Sequence, residues 1–185
     1  VKKSVHTTIA LGLAAGIFLT IAGVLLTSHI LRWMGTPPDV LPESTVYFRI
    51  YFMGSLSFVM YNVFVGILQS VGDSRHPLIY LIISSIINIL LDLLFVGLLG
   101  FGVGAAAFAT ILSQFISALL CLLRLIFQSP EDYRVSIKLI RFDFPMLKQI
   151  IANGLPAGVQ NSIIALANVV VQSNINKFGK MAVAG

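Results

Sequence analysis

Residues 78–100, LIYLIISSIINILLDLLFVGLLG, form an apolar run broken by a single charge, Asp92. An α-helix rises about 1.5 Å per residue, so roughly 20 apolar residues cross the ~30 Å hydrocarbon core of a bilayer. Inside lipid every backbone N–H and C=O must find a partner within the protein, which restricts a spanning segment to a helix or a closed barrel. A run this long without apolar–polar alternation predicts a helix. Four further apolar stretches are long enough to do the same: about 5–30, 46–70, 105–127, and one from near 155 to near 176. The chain is 57% hydrophobic and 10% charged, and its mean hydropathy is +0.96. A soluble domain with so few charges could not cover its surface. The predicted class is an all-α multi-pass membrane protein.

The net charge of +5 comes from basic residues spread over separate loops. No basic patch of the kind that binds nucleic acid is present. Cys121 is a lone cysteine, which excludes an internal disulfide and reads as a small buried thiol. No nucleophile elbow, P-loop, dinucleotide fingerprint or HExxH occurs, so no enzyme chemistry is expected. His6 and His29 sit at the ends of the first span and His76 in a turn. None has a second ligand at metal spacing, and an interfacial place is expected for all three. The chain begins at Val1 without an initiator Met and stops at Gly185, and it is expected to be an internal piece of a longer protein.

The first span carries Gly12, Gly16, Thr20, Gly23 and Thr27, a small-residue face that lets another helix approach closely. A loop with three prolines and two acids follows, Gly35 to Thr45, then the second span and a tight turn, Val71 to Pro77. Asp73 or Ser74 suits the cap of the third span, and Pro77 its first turn. Glycines 100, 102 and 104 join the third span to the fourth, and Gly102, Gly104, Ala106 and Ala109 are expected to form a close seam between these two helices. Charges cluster between Glu131 and Lys148, with apolar residues at helical spacing among them. Residues 128–150 therefore read as an amphipathic segment on the membrane surface. The expected division is 1–127, four spans; 128–150, linker; and 151–185, the fifth span. Eight Lys/Arg fall on one side of this topology and four on the other, which places the linker in the cytoplasm.

A mid-membrane charge costs roughly 2.5–3.5 kcal/mol on insertion scales, so Asp92 requires a partner or a task. Asn88 lies one turn earlier on the same face, and Ser84 and Ser85 extend it. A carboxylate, a carboxamide and hydroxyls in one stripe supply the hard oxygens that a proton or small cation takes. The structural alternative is a protonated carboxyl, or an ion pair with Arg49. Other spans have stripes of their own: Ser55, Asn62 and Gln69; Thr110, Ser113, Gln114 and Ser117; Asn161, Asn168 and Gln172. Each residue alone reads as interhelical glue worth about 0.6 kcal/mol. Together they predict a cavity, lined by Asn62, Gln69, Asn161, Asn168 and Gln172.

Several strings in order resemble the multidrug and toxic compound extrusion (MATE) family. They are Tyr47 to Ile50 (YFRI), Gly66 to Pro77 (GILQSVGDSRHP), Asn88 to Asp92 (NILLD), Gly102 to Thr110 (GVGAAAFAT) and Gly154 to Gly158 (GLPAG). The likeness runs along the whole chain and is greatest for the DNA-damage-inducible protein F-like branch. It implies a fragment of a twelve-helix, two-lobe transporter, about helices three to seven, with residues 128–150 as the link between lobes. Helices one, two and eight to twelve would be supplied by the rest of the polypeptide.

In that branch an Asn and an Asp on helix five, a Thr on helix six and an Asp on helix one hold a cation. The first three map onto Asn88, Asp92 and Thr110. The resemblance thus implies a Na⁺- or H⁺-coupled antiporter in the plasma membrane of a bacterium or archaeon. It would export amphipathic organic compounds by alternating access, with no cofactor beyond the coupling ion. A lipid-linked oligosaccharide flippase of the related superfamily is the alternative, although the spans lack the mid-membrane Lys or Arg that phosphate cargo favours.

Overall fold

The structure is a computed structural model. It describes residues 1–33 and 38–177, and the side chains of residues 1–33, 38–102 and 104–168. Among the described residues six α-helices carry the fold: α1 (Lys2–Trp33), α2 (Leu41–Met53), α3 (Ser55–Ser70), α4 (Arg75–Asp92), α5 (Val103–Phe127) and α6 (Phe144–Lys177). A π-helical turn, Leu93–Leu98, continues α4, a short 3₁₀ turn spans Ile137–Leu139, and no strand occurs among the described residues. Among the described residues four of these helical segments are long and apolar enough to cross a membrane, and the bent α2–α3 pair, taken as one span, makes a fifth. The chain is a multi-pass membrane protein.

Close approach between α1 and the α2–α3 pair follows from the glycine face of α1. A Cβ placed on Gly12 would fall 2.7 Å from Val63 Cγ2, and one on Gly16 2.6 Å from Leu56 Cδ1. At Gly23 the Phe52 ring occupies the space that a side chain would need. Thr20 and Thr27 donate their hydroxyls to the Gly16 and Gly23 carbonyls of their own helix, so neither exposes an unpaired polar group to the seam. Val5, Ile9, Met60, Phe64, Leu68, Cys121, Leu125 and Val135 form the core beneath it.

The second span differs from expectation. Instead of one helix from residue 46, the chain enters a helix at Leu41, with Pro42 in its first turn, and bends by 41° at Gly54. The cause is tertiary: Ile111 of α5 packs where a Gly54 side chain would stand. The expected seam between α4 and α5 at Gly104 also differs. Gly104 faces α2, where a Cβ would meet Ile50 Cδ1 at 3.0 Å and Val46 Cγ1 at 3.4 Å. Gly100 serves the turn itself, with φ +65°, a conformation that strains residues bearing a Cβ.

The chain divides into two compact units, Val1–Asp143 and Phe144–Gly185. Residues 128–143 fold back on the first unit, and Val135 is buried in its core at 2% exposure. His6 is also buried within the protein. Its Nδ1 lies 2.7 Å from the Lys2 carbonyl and its Nε2 accepts the Ser136 amide at 3.0 Å. Lys3 pairs with Asp143 at 3.6 Å, and the Asp143 amide reaches Thr7 at 3.4 Å.

In the second unit, α6 begins at Phe144 and runs through Pro156 to Lys177. The apolar periodicity at Phe144, Leu147, Ile150 and Ile151 belongs to its opening turns rather than to a separate surface segment.

Candidate cation site

Antiparallel α4 and α5 bring the polar stripes together. Ser117 Oγ donates to the Tyr80 carbonyl at 3.1 Å, which fixes the register of the pair. Ser84, Ser113 and Ser117 are buried, and their place marks the face of each helix that meets the other. Asn88 and Asp92 continue the Ser84 face of α4 at one-turn steps, while Thr110 and Gln114 lie on the Ser117 side of α5.

The hydroxyls in these stripes are satisfied by backbone. Ser84 and Ser85 both donate to Leu81, Ser113 donates to the Thr110 carbonyl, and Thr110 Oγ1 donates to Ala106 at 3.0 Å. Three other groups are not satisfied. Asn88 Nδ2, Asp92 Oδ1 and Gln114 Oε1 are buried atoms without a hydrogen-bond partner. A buried polar group left unpaired costs about 1–3 kcal/mol, more for a charged one, so each such atom on this helix pair is costly. Thr110 joins them chemically, since its proton is committed to Ala106 and its lone pairs remain free to accept.

Arg49 does not neutralise Asp92. Its Nη2 donates to Ser28 of α1 at 3.4 Å, and Asp92 has no ion pair among the described residues. The carboxylate lies at the last residue of α4, where the ladder widens into the π-helical turn and Leu99 N–H reaches back to the Leu94 carbonyl at 3.0 Å. Such turns accommodate an extra residue and frequently mark functional sites. Phe95, on the wide turn, packs against Phe101 and Phe108 at centroid distances of 6.4 and 6.3 Å.

Asn62 and Gln69 are exposed on α3, and Asn62 Nδ2 donates to its own helix at Phe58, 2.8 Å away. Asn161 and Asn168 are exposed along α6, and the Gln172 side chain lies outside the described residues. Gln114 belonged to a recognised stripe, yet nothing in the sequence separates an orphaned carboxamide from a satisfied one.

A second polar cluster holds the α3–α4 turn. Asp73 accepts the His76 backbone amide at 3.2 Å, caps the start of α4, and also contacts His76 Nδ1 at 2.8 Å and Arg124 Nε of α5 at 3.6 Å. Burial raises the Asp73 carboxyl pKa, but the His76 hydrogen bonds and the His76 and Arg124 charges outweigh it and hold the value below the ordinary aspartate range.

With this geometry, comparison with known proteins is decisive. The MatE family model matches residues 1–94. "Probable multidrug resistance protein YoeA" of Bacillus subtilis (strain 168) is 31% identical over 99% of this chain and 41% of its own length. The chain belongs to the MATE family. It spans about two fifths of the curated relatives' length, which agrees with its being an internal fragment.

Two solved structures described as MATE family transporters of the MOP superfamily extend the likeness to three dimensions. One, described as inward-facing, aligns with TM-score 0.74 and 31% identity over 83% of this chain and 34% of the other. A second, described as outward-facing, aligns with TM-score 0.82 and 27% identity over 92% and 38%. The all-helical membrane fold expected from the sequence is thus the MATE fold, in a bacterial-type multi-pass protein of the plasma membrane.

Proposed function

We propose that the transporter containing this chain exports amphipathic organic compounds in exchange for Na⁺ or H⁺ by alternating access. The coupling cation is taken at Asp92, with Asn88 and Thr110 as auxiliary groups. One observation carries this reading: Oδ1 of the half-buried Asp92 is shielded and unpaired, and the Asn88 amide one turn earlier on the same face is unpaired as well. Its desolvation becomes favourable when a cation or proton arrives, and that is the thermodynamic handle a coupling site requires.

Support for alternating access comes from the likeness to relatives described in both inward- and outward-facing forms. A cation drives the exchange only if it binds the two forms unequally. Moving a population from 1:99 to 99:1 takes about a 10⁴-fold difference in affinity, roughly 5.5 kcal/mol. An uncompensated carboxylate in low dielectric provides differences of that order when its surroundings change between states.

Efflux of a fluorescent organic cation from proteoliposomes holding the full-length transporter, under an imposed Na⁺ or pH gradient, tests the proposal. Gradient-driven efflux lost in Asp92→Asn supports it, and efflux at the unsubstituted rate refutes it.

A further inference from the structure

We infer that the start of α1 and the segment 128–143 form a binding site for the phosphodiester headgroup of an anionic phospholipid. The site is a cavity of about 550 Å³ whose charged lining is Lys2, Glu131, Arg134 and Lys138, with Ile126 and Ile137 among its apolar walls. None of these residues belongs to the polar stripes of α4 and α5.

The cavity stands where two spans end, at the first residue of α1 and the last turn of α5. Helix ends of this kind lie at the depth of the headgroup layer. The segment that closes the cavity is held in place. Val135 is buried, its N–H donates to the Leu125 carbonyl at 3.1 Å, and the Ser136 amide donates to His6 Nε2 at 3.0 Å.

Arg134 is oriented by the same end of α5. Its Nε donates to the Ile126 carbonyl at 2.6 Å, one of the last carbonyls of the helix, which lack partners within it. Both terminal nitrogens of the guanidinium stay uncommitted, and a fork fixed at Nε suits the oxygens of a phosphate. Lys2 and Lys138 add two point charges, both on exposed side chains.

Charge and apolar surface together select the ligand. Three cations against one carboxylate leave two positive charges in excess in the cavity, and none of the four groups has an ion pair among the described residues. An anion relieves their mutual repulsion. The positive-inside bias assigns this end of the spans to the cytoplasm, where basic pockets beside membrane helices take anionic headgroups. Ile137 is 71% exposed, and Phe127, next to Ile126, is 68% exposed. At the membrane boundary such side chains meet acyl chains. A free phosphate would use the cations and leave this apolar surface in water, whereas a phospholipid uses both.

The test uses the full-length transporter purified in neutral detergent and titrated with phosphatidylglycerol or phosphatidylcholine, bound lipid being counted by native mass spectrometry. Phosphatidylglycerol is expected to bind the parent more tightly than phosphatidylcholine. Arg134→Gln and Lys138→Gln are each expected to raise the Kd of the tightest-bound phosphatidylglycerol about fivefold, the effect of one basic charge near a membrane surface. Lys138 makes no ion pair among the described residues, so its variant keeps the test available if Arg134→Gln loosens the end of α5. Arg75→Gln is the control. It removes an exposed cation outside the cavity, two residues from the Asp73 that pairs with Arg124 of α5, and is expected to leave that Kd unchanged.

Equal phosphatidylglycerol affinity in the parent and both cavity variants overturns the inference, as does lowered stability with that affinity unmoved. A loss of the same size in Arg75→Gln overturns it as well, because the attraction would then be diffuse. Inorganic phosphate that displaces the lipid at equal concentration would assign the cavity to a soluble anion and overturn the lipid reading.

Discussion

The Ser117 hydroxyl meets the Tyr80 carbonyl at 3.1 Å, and that bond sets which residues of α4 and α5 stand level. Seven residues from Ser117 toward the hairpin lies Thr110, and eight residues from Tyr80 lies Asn88. Each is displaced by about 10–12 Å along its helix, so the two arrive at nearly the same depth. Asp92 follows one turn beyond Asn88, where the helix widens. The bond explains how residues 22 positions apart in sequence serve one site.

Thr110→Val and Asn88→Ala are expected to leave the transporter folded, because Thr110 spends its proton within its own helix and Asn88 Nδ2 has no partner to lose. With Na⁺ as coupling ion, each raises the half-saturating Na⁺ concentration and largely preserves maximal efflux. With H⁺ alone, each displaces the pH profile by altering hydrogen bonds to Asp92. Efflux assays across Na⁺ and pH distinguish these outcomes, and indifference of both variants to both ions removes Asn88 and Thr110 from the site.

Glycines in the helices differ in what they permit. Gly23→Ala drives a methyl into the Phe52 ring, whereas at Gly66 no atom lies within 4 Å. Overpacking of this kind costs about 1–3 kcal/mol, while Gly→Ala at an open helical position gains about 0.5–1 kcal/mol. The apparent melting temperature of the detergent-purified transporter is expected to fall for Gly23→Ala and to hold or rise for Gly66→Ala. Gly104→Leu is expected to lower it as well, through the α2 residues Ile50 and Val46.

The Asp73 cluster predicts a pH response. Because the folded-state pKa lies below the ordinary value of 3.8, the stabilisation is fully present above that value and is lost as pH falls through the lower folded one. Asp73→Asn removes a charge-assisted cap and is expected to cost on the order of 1 kcal/mol at neutral pH. Thermal unfolding at neutral and strongly acidic pH should show the parent and Asp73→Asn converging in acid. A constant gap across pH would contradict the assignment.

His6 joins α1 to the segment 128–143 through Ser136. His6→Ala is expected to accelerate hydrogen exchange at the Ser136 amide, with the helical amides of α1 beyond its first turns unchanged. Mass-resolved exchange of the peptide covering residues 131–140 measures this directly, and unaltered protection there would show that the contact is not holding the segment.

Much of this architecture is legible in the sequence because lipid simplifies the problem. Five long apolar stretches set the spans, and the glycine face of α1 announces its close packing. Asp92 and Asn88 declare themselves by being polar at membrane depth. What escaped was decided by contacts across the fold. Gly54 looks like any membrane-helix glycine until Ile111 is seen packed over it. The wide turn after Asp92 follows an unremarkable Leu-Leu-Phe-Val-Gly-Leu string. Pro145, second residue of α6, was a start signal that the surrounding charges obscured. Gln114 and Ser117 read alike in one dimension, and only their partners separate them.

The central claim is that Asp92 is the point at which a cation gradient acts. It is tested most directly by gradient-driven dye efflux in proteoliposomes containing full-length Asp92→Asn transporter, with matched insertion verified by protein content. The account predicts efflux reduced to the level of empty liposomes under both Na⁺ and pH gradients. Efflux at the parental rate under either gradient would contradict it.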